Sequence, residues 1–262
     1  MSGKLLESVP IWLAFVLTVA LVLLSIHGGV SYGRFRKKRW GKDTEGAVST
    51  GVGASLGLLA FILAFTFGLT ASRFDARKAL LLDEVNAIET AYLRAGLVPE
   101  PHRSAVRELL RQYVDIRVEL TRNPERIEEA IRRSEALQGQ IWSHAMELPE
   151  LEFKNAPLAA LFVNSLNEMF DFQTKRVTIG LFYRIPAVMW LVLFSLTVFS
   201  MFGIGYLFGM SDKVNWLLVV VFSLAFSLVI LLIADLDRSG GGKPGIIKIS
   251  TRPITDLQQR IK

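Results

Sequence analysis

The sequence predicts an all-α membrane protein, with four transmembrane helices and a helical extramembrane bundle inserted between the second and third. Three observations carry that expectation. Apolar residues make up 51% of the 262 and charged residues still reach 21%, so the charge must be segregated from the apolar stretches. Pro10 to Ile26, Ser49 to Ser72, Ile185 to Met210 and Trp216 to Ala234 each lack charge over a length near the ~20 residues that cross hydrocarbon. Between the second and third stretches lie about 110 polar residues, too many for a hairpin connection and enough for a small domain.

The first stretch reads as a retained anchor rather than a cleaved signal. Lys4 is offset by Glu7, the apolar run exceeds a normal signal core, and Ser-Ile-His-Gly-Gly is a poor cleavage site. The second stretch continues into the charged helical pattern that begins at Arg73, so one helix is expected to leave the membrane and enter the polar insert. At about 100° per residue it is two-faced. Gly53, Gly57, Ala60, Ala64, Gly68 and Ala71 share a stripe of small residues that permits close helix contact. Leu58, Ile62, Phe65 and Leu69 share the neighbouring stripe, suited to lining an apolar neck.

Every signal in the insert is helical. Pro101 after Glu100 marks a start, and Asn123-Pro124-Glu125 followed by Glu128 combines a cap, a first-turn proline and early acids. The expected pieces are 73–96, 101–121, 124–148 and 156–184, the last reading straight into the third span. Leu80, Leu81, Glu84, Ile88, Ala91 and Tyr92 recur at helical spacing, as do Val106, Leu109, Leu110, Tyr113, Val114, Ile116 and Leu120, and both stripes are expected to face the core of a bundle. The expected organisation is residues 1–72 for the first two spans, 73–184 for the helical domain, 185–235 for the last two spans and 236–262 for a polar tail loosened by Gly240-Gly241-Gly242.

Few chemistries fit this chain. The absence of cysteine excludes disulfides, thiol-attached haem and cysteine-ligated metal centres. His27, His102 and His144 are scattered without the i, i+4 partners of a metal site and read as ordinary histidines, so no metal or cofactor is expected. Gly203, Gly205 and Gly209 follow no strand, and their apolar flanks indicate close helix packing rather than a phosphate loop. Asp83, Glu84 and Glu89, with Arg77, Lys78 and Arg94 nearby on the same helix, read as a solvated or paired face. Asp235, Asp237 and Arg238 read as the boundary of the fourth span. No nucleophile, base and orienting acid assemble by spacing, which argues against an enzyme. A transporter would need broken helices and midplane polar residues, whereas the spans hold only Ser and Thr. The net charge of +6 clusters beside the spans, where anionic headgroups account for it without nucleic acid.

Four segments carry a resemblance: Leu56-Gly-Leu-Leu-Ala-Phe-Ile-Leu-Ala-Phe, Ala71-Ser-Arg-Phe-Asp-Ala-Arg-Lys, Glu84-Val-Asn-Ala-Ile and Asp235-Leu-Asp-Arg. With Ala91-Tyr-Leu-Arg, they make most of residues 49–255 similar to bacterial bestrophin-like membrane proteins and, more distantly, to the bestrophin anion channels. The family motif falls on Arg73, Asp75, Arg77, Asn86, Asp235, Asp237 and Arg238. The resemblance implies a homopentameric, anion-conducting channel whose second helix narrows the pore with three apolar residues, here Ile62, Phe65 and Leu69 or the register shifted to Leu58. It also implies inorganic ions and the lipid bilayer of a bacterial inner membrane as partners. The chain departs from true bestrophins in keeping only Phe74 of an aromatic pair and in lacking the calcium-binding acidic run, so calcium gating is not implied. A non-conducting scaffold or signalling protein, binding partners through its helical domain, is the alternative function.

Sidedness is argued from two directions. Arg34, Arg36, Lys37, Lys38, Arg39 and Lys42 load the first loop with positive charge, which places that loop in the cytoplasm and the large domain on the opposite side. The resemblance places the domain in the cytosol, and the positive charge of the C-terminal residues supports it; a cytosolic domain is the expectation.

Overall fold

The structure is a computed structural model that describes residues 10–41, 45–148, 156–211, 214–238 and 245–262. Among these residues there are eight α-helices and no strand. They are α1 (Ile11–Trp40), α2 (Glu45–Ala95), α3 (His102–Arg122), α4 (Ile127–Glu147), α5 (Ala156–Val177), α6 (Ala187–Met210), α7 (Trp216–Arg238) and α8 (Arg252–Arg260). A 3₁₀ turn, Pro124–Arg126, precedes α4, and a π-helical turn, Thr178–Phe182, follows α5. The chain folds as two compact units, one of residues 1–72 with 184–238 and one of residues 73–183 with 239–262. Lys4, Glu7, Lys42, Lys243 and the Gly240–Gly242 stretch lie outside the described residues.

The first unit holds the four helices long and apolar enough to cross a membrane. Its tightest contact is α1 along α6, and glycine makes it. A Cβ on Gly29 would sit 2.1 Å from the Phe202 carbonyl oxygen, and one on Gly205 would sit 2.0 Å from that of Ile26. Gly33 and Gly209 repeat the approach one turn on, at 2.6 Å from the Tyr206 oxygen and 2.4 Å from the Val30 oxygen. Each pair is spaced i, i+4, the arrangement that lets two membrane helices meet backbone to backbone where no hydrophobic force drives association. The packing role expected for Gly205 and Gly209 is therefore observed; their partners on α1 went unread. Val22, Ile26, Leu59, Leu63, Leu193, Met201 and Ile233 fill the core of this unit.

Two helix ends differ from expectation. The basic segment expected as a loop is helical, because α1 runs on to Trp40 with Lys37, Lys38 and Arg39 in its last turn, where cations complement the helix dipole. Gly41, at φ 82°, then takes the left-handed conformation that ends it. The run from the insert into the third span is interrupted: Tyr183 to Pro186 are not helical. Proline lacks the N–H of the helical ladder and biases the residue before it away from α geometry, so α6 starts afresh at Ala187 with Pro186 as its cap.

The second unit buries Val85, Ile88, Leu110, Tyr113, Ile141, Phe162, Leu166 and Met169. The C-terminal residues, expected as a polar tail, complete this core. Ile254, Leu257 and Ile261 lie at i, i+3, i+7 spacing and are buried, at 1%, 0% and 5% exposure. Arg111 Nε donates to the Ile261 carbonyl at 2.7 Å, Gln258 donates to Asp115 at 2.6 Å and Arg260 pairs with Glu89 at 2.9 Å.

Candidate functional site

The apolar part of α2 has one packed face and one open face. Leu59, Leu63, Thr66 and Thr70 are buried in the membrane unit. The two hydroxyls are satisfied within their own helix, Thr66 donating to the Ile62 carbonyl at 2.7 Å and Thr70 to that of Thr66 at 3.1 Å. The Ser200 hydroxyl donates across to another span, to the Ser55 carbonyl at 3.1 Å. On the opposite side, Gly53, Gly57, Ala60, Ala64 and Gly68 are exposed. Among the described residues nothing lies within 4 Å of a Cβ placed on Gly53, Gly57 or Gly68, so these positions of the stripe meet no other described helix. Leu58 and Phe65 stand on the open face, 50% and 58% exposed, beside Phe61 at 66%. Ile62 and Leu69 flank it, half-buried, with Ile62 against the unit's core.

The fourth span ends at Arg238 in a buried clamp. Asp235 and Asp237 are 2% and 8% exposed. The Asp237 carboxylate accepts the buried N–H of Ile185 at 3.0 Å, and its backbone carbonyl accepts from Arg184. The N–H just ahead of Pro186, which the helix that follows leaves unpaired, is thereby satisfied. Arg238, next in the motif, is half-buried.

In the second unit the remaining motif residues lie on α2, the helix that also carries Glu84 of an ion network. Arg73 is half-buried, Arg77 buried, and Asp75 and Asn86 exposed. Glu84 is fully buried and paired, as its place on the core-facing stripe and the paired reading of this face allow, but with partners from other helices rather than the Arg77, Lys78 or Arg94 of its own. Arg117 of α3 lies 3.2 Å from it, and Arg176 of α5 ion-pairs with its other oxygen. The Tyr113 hydroxyl is 3.3 Å from Glu84, accepts from Arg117 at 2.9 Å and donates to Gln173, which in turn accepts from Gln138 at 2.7 Å. Burial by itself would push the Glu84 carboxyl up, but the Arg117 and Arg176 guanidiniums hold it below the usual carboxylate range. Burial pushes the Tyr113 phenol up to about 12. Arg117 is raised as well, because Tyr113 and Glu84 outweigh its own burial.

Beside this network opens a cavity of about 740 Å³, within the usual range for small-ligand sites. Arg77, Arg117, Arg122, Arg176 and Lys248 line it against the single carboxylate of Glu125, with leucine and isoleucine between them. Such a wall favours anions over cations. Sequence reasoning missed Arg117, although a signal existed: it stands at i+4 from Tyr113 and i+7 from Leu110, inside an apolar stripe, where a charge requires a buried partner.

The histidines are not all scattered. His27 is exposed, but His102 and His144 meet with their Nδ1 atoms 3.0 Å apart, and Glu147 approaches His102 Nδ1 to 3.7 Å. A separation of 42 positions along the chain hid this pairing from any spacing argument.

A family model described as a bestrophin-like domain matches residues 15–244, from the first span through the end of the fourth. The chain belongs to the bestrophin-like family. No curated protein sequence matches it. Among solved structures, this bestrophin-like chain is similar to the crystal structure of a membrane protein, with a TM-score of 0.60 and 15% identity over 96% of this chain and 95% of that one. At that identity the likeness concerns the fold.

Proposed function

We propose that this bestrophin-like protein is an oligomeric ion channel that conducts anions through an apolar neck formed by α2 of each copy. The observation that carries this reading is the open face of α2. An exposed stripe of Gly and Ala, where a Cβ on Gly53, Gly57 or Gly68 meets nothing among the described residues, runs beside Leu58 and Phe65. In lipid, small residues associate helices only by meeting another backbone, and the partner they lack is supplied by a second copy. Around a symmetry axis, five copies in the arrangement implied by the family resemblance, rings of Leu58, Ile62, Phe65 and Leu69 form a constriction that holds ions back by dewetting. Thr66, Thr70, Thr197 and Ser223 donate their hydroxyls to carbonyls of their own helices rather than presenting them to a solute as a transporter site does. Anions are favoured by the net charge of +6 and by the basic end of α1, which raise anion concentration locally. On this reading the helical unit lies in the cytosol of a bacterial plasma membrane.

Purified protein in planar bilayers tests the proposal. Anion current, and a larger unit conductance for Phe65→Ala, is the expected result. Silence in the bilayer, together with single-particle images of one or two copies lacking an axial path, would leave a membrane scaffold as the better reading.

A further inference from the structure

We infer that His102, His144 and Glu147 form a binding site for a divalent transition-metal ion of the zinc class. The inference is independent of whether the protein conducts. His102 opens α3, while His144 and Glu147 lie one turn apart at the end of α4, so one helix end presents two ligands and the neighbouring helix the third. Their ligand atoms all fall within 4.8 Å of one another.

The distances match a metal's requirements. Two nitrogens bound to zinc at about 2.0–2.1 Å and a tetrahedral angle stand roughly 3.3–3.4 Å apart. The observed Nδ1···Nδ1 separation of 3.0 Å and the Nδ1···Oε2 separation of 3.7 Å bracket that value, so small side-chain rotations seat an ion. The rings meet edge to face at 73° rather than stacked. A plain hydrogen bond between imidazoles explains the 3.0 Å contact but leaves the third group without a role. A carboxylate close to the same nitrogen completes a two-histidine, one-carboxylate donor set.

Burial and exposure fall as an exchangeable site needs them. The His102 side chain is 7% exposed and held in place, whereas that of Glu147 is 58% exposed, leaving an entry path and room for water as a fourth ligand. Imidazole with one carboxylate selects zinc, nickel or copper over calcium and magnesium, which prefer oxygen. Bound there, the ion staples α3 to α4 and stabilises the helical unit by mass action.

The experiment uses the full-length, tag-free protein in detergent, stripped with chelator and titrated with Zn²⁺ while bound metal and melting temperature are followed. One Zn²⁺ per chain with a raised melting temperature is expected, with Ca²⁺ giving neither effect. His144→Ala should abolish binding, and Glu147→Ala, at an exposed position that leaves the core intact, should weaken it on the order of 10- to 100-fold or more. Co²⁺ in place of zinc should give the visible bands of a tetrahedral site. Failure of the wild-type protein to retain zinc, or equal retention by the folded Glu147→Ala and His144→Ala variants, would overturn the inference.

Discussion

Glu84 and Arg117 sit 3.2 Å apart with side chains 0% and 6% exposed. Such a pair is weak evidence of net stabilisation, since taking both charges out of water offsets most of their attraction, but each becomes costly once the other is gone. Glu84→Ala leaves Arg117 uncompensated and Arg176 without its carboxylate, and should destabilise the helical unit by about 3–5 kcal/mol. Chemical denaturation of the full chain measures it, and a loss below 1 kcal/mol would show that the network is dispensable.

The same network sets pH limits. The folded carboxyl of Glu84 lies below its ordinary value of 4.5, so its contribution is present above that pH and lost as pH falls through the folded value. Tyr113 has the opposite sign: raised from 10.0 to about 12, it contributes fully below pH 10 and loses that contribution as pH climbs toward 12. Melting temperature followed against pH should therefore fall at both ends. Gln in place of Glu84 should flatten the acid limb, and an unchanged limb would place its origin elsewhere.

Glycines in the spans should divide into two classes. Gly205→Ala puts a Cβ 2.0 Å from the Ile26 carbonyl, forcing α1 from α6 at a cost of about 1–3 kcal/mol or more. A Cβ on Gly57 meets nothing within 4 Å among the described residues, so with Gly57→Leu the protomer should fold normally while the oligomer dissociates. Thermal melts with size measurement in detergent separate these outcomes; an intact oligomer for Gly57→Leu would remove α2 from the subunit contact.

Asp237→Ala removes the acceptor of a buried N–H at Ile185. The unsatisfied donor should cost about 1–3 kcal/mol, while Asp237→Asn keeps an acceptor oxygen and should lose less. The ordering of the two variants is the readout, and equal losses would indicate that charge rather than the hydrogen bond matters.

Leu257→Ala tests the docking of α8. Its side chain is fully buried, and removing it should cost about 2–5 kcal/mol, a loss that a free tail would not show. Protease sensitivity of the C-terminal segment should rise in parallel.

The four spans were legible because a bilayer imposes its rule locally: a charge-free run of spanning length has few other fates. The glycines of α6 were legible as packing residues for the same reason. The amphipathic stripe of α8 was also in the sequence, but a short helix after a glycine run reads as a tail until the surface that covers Ile254, Leu257 and Ile261 is known.

What the sequence by itself determined is the class of fold and the helical periodicity of the insert. Each is encoded within a few turns of chain, where 3.6-residue spacing carries the information. Only the tertiary structure decided which charges are buried together and which histidines meet. Glu84 finds Arg117 and Arg176, and His102 finds His144, across long separations along the chain. These partnerships depend on how α2, α3, α4 and α5 come together, and buried charges and close imidazoles are stable only once that packing has removed water and fixed their geometry.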